Sequence, residues 1–142
     1  MPLPATTYPP DVFTLEYRPE PGILVGRWLR PVSMAEAQVT YAAVLAAAQA
    51  HGNCHRWLLD VRRRSTGDPT ITQWFGTEFG PRLAGALGGP VAIAYFAMID
   101  HSAATDSAEL LRNIEQAERQ GNHYRYFNQE GEALAWLAGQ PA

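Results

Sequence analysis

The chain has 142 residues, of which 46% are apolar and 18% charged, and its formal net charge is −3. That length fits one domain with a proper core, burying roughly 70% of the surface exposed on unfolding. The acidic balance excludes a general attraction to nucleic acid or to an anionic membrane.

All eleven basic residues are arginine. The absence of lysine excludes a Schiff-base amine and a phosphate-loop lysine. Cys54 stands alone, so no intrachain disulfide can form, and a reducing cytoplasm is the expected setting. Met1-Pro2-Leu3-Pro4-Ala5 lacks the basic region and apolar core of a signal peptide. The longest apolar run, 91–99, is about half of a membrane span, so no membrane insertion is expected.

Residues 1–11 are rich in Pro and Thr without periodicity and read as a loose arm, with one domain over 12–142. Phe13, Leu15 and Tyr17 alternate with Thr14, Glu16 and Arg18, the pattern of a half-buried strand. Pro19-Glu20-Pro21-Gly22 is a turn, and 23–29 pairs back as the second strand of a hairpin. Ser33 and Glu36 have capping-box spacing at the start of an Ala-rich helix, whose stripe is Ala37, Tyr41, Val44 and Ala48 and whose stop is Gly52.

A third strand spans 56–63. Beyond the Asp68-Pro69 turn, Ile71, Trp74, Phe75 and Phe79 recur at helical spacing until Pro81 breaks or kinks the helix, and Leu83 and Leu87 continue a shorter segment. The run 91–99 is apolar on both faces and predicts a central strand. A third helix starts near Thr105 or Asp106, with Leu110, Leu111, Ile114 and Ala117 on one face. A fifth strand, 123–128, and a last helix, 130–137, close the chain.

The order is therefore ββαβαβαβα, an α/β fold with a mixed five-stranded sheet, since strands joined by helices run parallel with right-handed crossovers. Thr14, Glu16 and Arg18, Asp60 and Arg62, and His123 and Arg125 leave three strands with a polar face. A sheet sandwiched between helix layers does not read that way, so helices are expected mainly on one face.

Three stretches carry a resemblance. Leu58-Leu59-Asp60-Val61 looks like an "L-D-aliphatic" third strand, 91–99 follows a Gly-Gly-Pro turn, and Phe127-Asn128-Gln129-Glu130-Gly131 leads into Glu132-Ala133-Leu134-Ala135-Trp136-Leu137. With the element order, they make residues 12–138 similar to the STAS superfamily, the fold of bacterial anti-sigma-factor antagonists. The resemblance implies strands mostly in chain order, helices largely on one side, and a regulatory role through protein partners. Where phosphorylatable members carry Asp-Ser, this chain has Asp68-Pro69, so the usual phosphorylation switch is missing its hydroxyl.

The surface singled out is the carboxyl edge of the third strand and the start of the next helix: Asp60, Arg62, Arg64, Ser65, Thr66 and Asp68, with Trp74 beside them. Strand alternation sends Arg62 and Arg64 one way and Arg63 the other, so the pair can grip a phosphate or carboxylate; the alternative is a solvated strand end paired with Asp60, Asp68 or Glu78. Trp28, Trp74 and Phe75 either line an apolar pocket or fill the core.

Asp100-His101-Ser102 has the residue types of a triad, but successive side chains diverge, and no G-x-S-x-G elbow is present. His51, Cys54 and His55 lose one-face geometry at Gly52-Asn53, and His123 reads as a strand residue. The expectation is a non-enzymatic interaction module without cofactor or metal. Its partner is another protein or a second copy, paired through the polar sheet face or the edge strand; the rival is a domain binding a small anionic or lipophilic ligand.

Overall fold

The computed structural model describes residues 11–64, 70–97, 114–115, 118–119 and 121–140. The arm ahead of Asp11, the loop 65–69 with Ser65, Thr66 and Asp68, the Asp100-His101-Ser102 stretch, and the start of the predicted third helix with Leu110, Leu111 and Ala117 lie outside the described residues.

Five strands form one mixed sheet in the order β1-β2-β3-β4-β5. They are β1 (Phe13–Arg18), β2 (Ile23–Trp28), β3 (Arg56–Asp60), β4 (Ala92–Phe96) and β5 (His123–Phe127). The β1–β2 pair is antiparallel, closed by a turn in which Gly22 takes φ 95°; the other three pairings are parallel. This is the α/β architecture and the mixed sheet that the patterning predicts.

Helix α1 (Met34–Ala50) begins on a complete capping box: Ser33 Oγ accepts from the Glu36 amide, and Glu36 accepts from the Ser33 amide. Its predicted stripe of Ala37, Tyr41, Val44 and Ala48 is buried.

In the segment 70–87, where Pro81 is expected to break or kink the helix, the helix does not break. Helix α2 (Thr70–Trp74) runs through a π turn (Phe75–Phe79) into α3 (Gly80–Leu87). A proline inside a regular α-helix clashes with the carbonyl four residues back. The widened turn, closed by the Gly80 amide on Phe75 O, sets Pro81 in the first turn of α3, where its missing amide costs little.

Strand β3 is shorter than predicted, since it ends at Asp60. The Asp60 carboxylate accepts from the Arg62 amide at 3.2 Å, and the Arg64 amide bonds Val61 O. This local side-chain bond competes with the ladder and turns the chain.

Strands β2, β3 and β4 progress in one direction, so right-handed crossovers put α1 and the 70–87 run on the same face. That face buries Trp28, Tyr41, Trp57, Leu59, Phe75, Leu83 and Ile93. Helix α4 (Glu130–Ala138) returns across the opposite face and covers Ile23, Val25, Leu58 and Ala94 with Ala133 and Leu137. The predicted open polar face is therefore open only in part. Thr14 and Glu16 of β1 are exposed, but Asp60 is buried. Among the described residues no helix is long and apolar enough to cross a membrane.

Candidate functional site

At the carboxyl edge of β3, Asp60 faces the α4 side of the sheet, next to Arg27 of β2 and Phe96 of β4 in the parallel register. Its side chain is 6% exposed, and both oxygens are engaged. Oδ1 accepts from the Arg62 amide and from Arg62 Nε at 2.9 Å; Oδ2 accepts from Arg62 Nη2 at 2.8 Å and Arg27 Nη1 at 3.1 Å.

Arg62 is thus a fork on the carboxylate, and its guanidinium carbon lies 4.0 Å from the Phe96 ring centroid. Arg27 extends the chain of charges to Glu130 at the first turn of α4. Burial opposes ionisation of Asp60, but the hydrogen bonds and charge of Arg62, joined by Arg27, outweigh it and hold the carboxyl below its ordinary range. The same contact raises the Arg62 guanidinium above its ordinary value.

A carboxylate with both oxygens occupied by cations is a poor general base and a poor nucleophile. It is suited to fixing two arginines in place.

The expected pairing of Arg62 with Arg64 does not occur. Past Asp60 the backbone is a turn, not a strand, so period-two alternation no longer applies. Arg62 stays on the α4 face, whereas Arg64 goes to the α1 face. There its guanidinium sits 4.5 Å from the Trp28 ring centroid, and Nη1 donates to Tyr41 Oη at 2.8 Å. Arg63 is exposed.

Trp28 and Phe75 are core residues rather than a lining. Trp28 Nε1 donates to Thr40 Oγ1 at 3.0 Å, and the Phe75 ring lies 4.7 Å from Tyr41. Trp74 is half-buried at the margin, with its ring 5.8 Å from Tyr41 and 5.5 Å from Phe79.

Sequence reasoning missed Arg27, Phe96 and Glu130. Arg27 had a usable signal: one charge inside the otherwise apolar run 23–29 must find a partner or leave the sheet. Glu130 and Phe96 come from distant stretches, and only the fold brings them to Asp60.

The histidines and the cysteine also separate. His51 stacks on Tyr17 with ring centroids 3.9 Å apart. The Cys54 thiol is buried against the carbonyls of Gly22 and Arg56, and burial raises its pKa. His55 bonds Pro90 O. Among the described residues no group of three His, Cys, Asp or Glu is placed to hold a metal ion. No protein-family model, curated protein or solved structure matches this chain.

Proposed function

We propose that the chain is a non-enzymatic regulatory or protein-interaction module of STAS-like fold, working in the cytoplasm. The surface it offers is the carboxyl edge of β3: Asp60, Arg62 and Arg64, with Ser65, Thr66 and Asp68 next in sequence.

One observation carries this reading. Asp60 is spent on holding Arg27 and Arg62, which makes the edge a preorganised charged surface and not a reactive centre. Arg62 keeps 37% of its side chain exposed while its head is fixed, the state in which a rim arginine binds a partner at small entropic cost. The hairpin, the chain-order sheet and the closing strand-to-helix stretch support the STAS-like part. The edge strand β1 supports self-association, since an outer strand invites pairing. The single buried thiol supports a reducing compartment.

A second reading, a site for a small anionic or lipophilic ligand, is favoured by Arg64. Its guanidinium lies on Trp28 and donates to Tyr41 Oη, and the Tyr41 ring also meets the half-buried Trp74.

Native mass spectrometry of the chain purified from its own cells separates the two. A protein partner or second copy held in fixed ratio, and lost with Arg62→Glu, supports the interaction module. A retained small molecule, lost with Arg64→Ala but not with Arg62→Glu, replaces it by the ligand-binding reading.

A further inference from the structure

Three of the chain's eleven arginines, Arg62, Arg63 and Arg64, stand in succession, although the chain as a whole is acidic. The Arg64 amide donates to Val61 O at 3.2 Å, so Arg62 and Arg63 are the two corner residues of a turn beyond β3. Both are exposed.

We propose, on the reading that this edge is an interaction surface, that its occupant is an acidic segment of a partner protein. One carboxylate of that segment pairs with Arg62 Nη1, and a second pairs with the Arg63 guanidinium. The first support is the set of spare donors. A guanidinium has five N–H donors and no acceptor. On Arg62, Nε and Nη2 are held by Asp60. Nη1 keeps its two N–H groups without an acceptor among the described residues. The Arg63 side chain has no hydrogen bond or ion pair among the described residues, so its whole fork is open.

The second support is charge. Asp60 pairs with Arg27 and Arg62, and Glu130 pairs with Arg27, so these two carboxylates are matched by these two arginines. Arg63 is a surplus cation. Arg64, on the other face, meets a phenol oxygen and not a carboxylate. The described edge is thus positive within an acidic chain. Such a patch draws in an acidic partner from a distance and is complemented by it on contact.

The third support is preorganisation. The Arg62 guanidinium carbon lies 4.0 Å from the Phe96 ring centroid. One face of the group lies on the ring and one edge lies on Asp60, which leaves Nη1 as the open corner. An arginine fixed in this way loses little rotamer freedom when a partner binds.

Nucleic acid fits this edge less well. A phosphate backbone is held by many cations along its length, and the net charge of −3 opposes it. Two open guanidinium ends suit two carboxylates, each paired at short range.

The test is fluorescence anisotropy of a labelled Glu-Ala peptide with the full chain, with a single-stranded oligonucleotide of equal charge as its rival. Saturable binding at low salt is expected, with release in about 0.5 M salt. Arg63→Glu, at an exposed position, should weaken binding by at least about tenfold. Arg82→Glu makes the same change of charge on α3 and should leave binding unchanged. The proposal is overturned by no binding, by binding indifferent to salt, by an equal loss in Arg82→Glu, or by tighter binding of the oligonucleotide. A homodimer that Arg63→Glu dissolves and the peptide cannot displace assigns the edge to a second copy, and overturns it too. The surface itself is judged apart from its chemistry. A protein partner lost with Arg62→Glu in native mass spectrometry, yet not displaced by the peptide, keeps the surface and removes the acidic segment. A partner retained by Arg62→Glu removes the surface.

Discussion

The two faces of the sheet are closed by different means. Under α1 and the 70–87 run, rings do the work: Trp28, Tyr41, Phe75 and Phe79 lie centroid to centroid at 4.7–5.6 Å, and the one indole donor among them is satisfied by Thr40. Under α4 the cover is one nine-residue helix whose buried contacts are Ala133 and Leu137. At its amino end the seal is four charges, Arg27, Asp60, Arg62 and Glu130.

The difference follows from topology. Crossovers that all advance the same way stack their helices on one face, so the other is left to whatever follows the last strand. A thin cover lets charged heads reach water while their stems lie on apolar surface, and that is where a charge network can form. The same topology removes the reversal of strand order that makes a ligand crevice in doubly wound sheets.

The largest expected effect is on the thick face. Trp28→Ala removes contacts to Phe13, Tyr41 and Arg64, and leaves Thr40 without its donor. It should cost about 3–5 kcal/mol in urea denaturation. Leu137→Ala, on the thin face, should fall near the low end for core leucines, about 2 kcal/mol. Equal losses would mean that the two faces contribute alike, and the contrast would fail.

Next comes the charge seal. Asp60→Ala leaves Arg62 without its carboxylate and Arg27 with Glu130 as its one remaining described partner. A fully buried pair broken this way costs about 3–5 kcal/mol, but both arginines reach solvent, so about 2–3 kcal/mol is expected.

The pH dependence gives the same test without a cavity. Asp60 has a lowered pKa in the fold. Its contribution is therefore fully present above the ordinary carboxylate range and is lost as pH falls through the folded value. Stability measured from pH 7 downward should drop at the acid end, and Asp60→Asn should flatten that part of the slope. An unchanged acid slope in Asp60→Asn would show that the clamp adds nothing.

A smaller loss is expected where the sheet itself is tight. A Cβ on Gly26 would stand 2.8 Å from the Phe13 ring and 3.2 Å from Leu59 Cδ2. Gly26→Ala should cost about 1–3 kcal/mol by overpacking the ring-lined face. Neutrality there would mean that Phe13 can swing aside and that the thick face is softer than its ring contacts imply.

Much of this fold was legible in the chain. Alternation at Phe13, Leu15 and Tyr17, the Ser33–Glu36 cap and the apolar run before Asp60 each obey one local rule, and the elements formed where those rules put them. What failed was local rules extended past their domain. Period two was carried beyond Asp60, although an aspartate two residues before a free amide can bend the chain. Pro81 reads as a break or a kink because a proline disrupts a regular helix, and the π turn ahead of it decides against the break. The site was half legible. Asp60 and Arg62 stand two apart, but Arg27 and Glu130 reach them from 33 residues earlier and 70 later, a juxtaposition that only sheet order creates.

The smallest effect separates two accounts of what holds α4 down. Glu130 sits in the first turn of α4, where a negative charge favours the helix dipole, and it also pairs with Arg27. Their side chains are 34% and 26% exposed, so the pair is only partly screened and worth about 0.5–1 kcal/mol. If α4 is latched by charge, Glu130→Gln should lose that amount, and 0.5 M salt should weaken the wild type toward it. If Ala133 and Leu137 alone hold the helix, Glu130→Gln and salt will both be silent while Leu137→Ala keeps its full cost. In that case the four charges do not seal the thin face. They serve the surface that Arg62 presents.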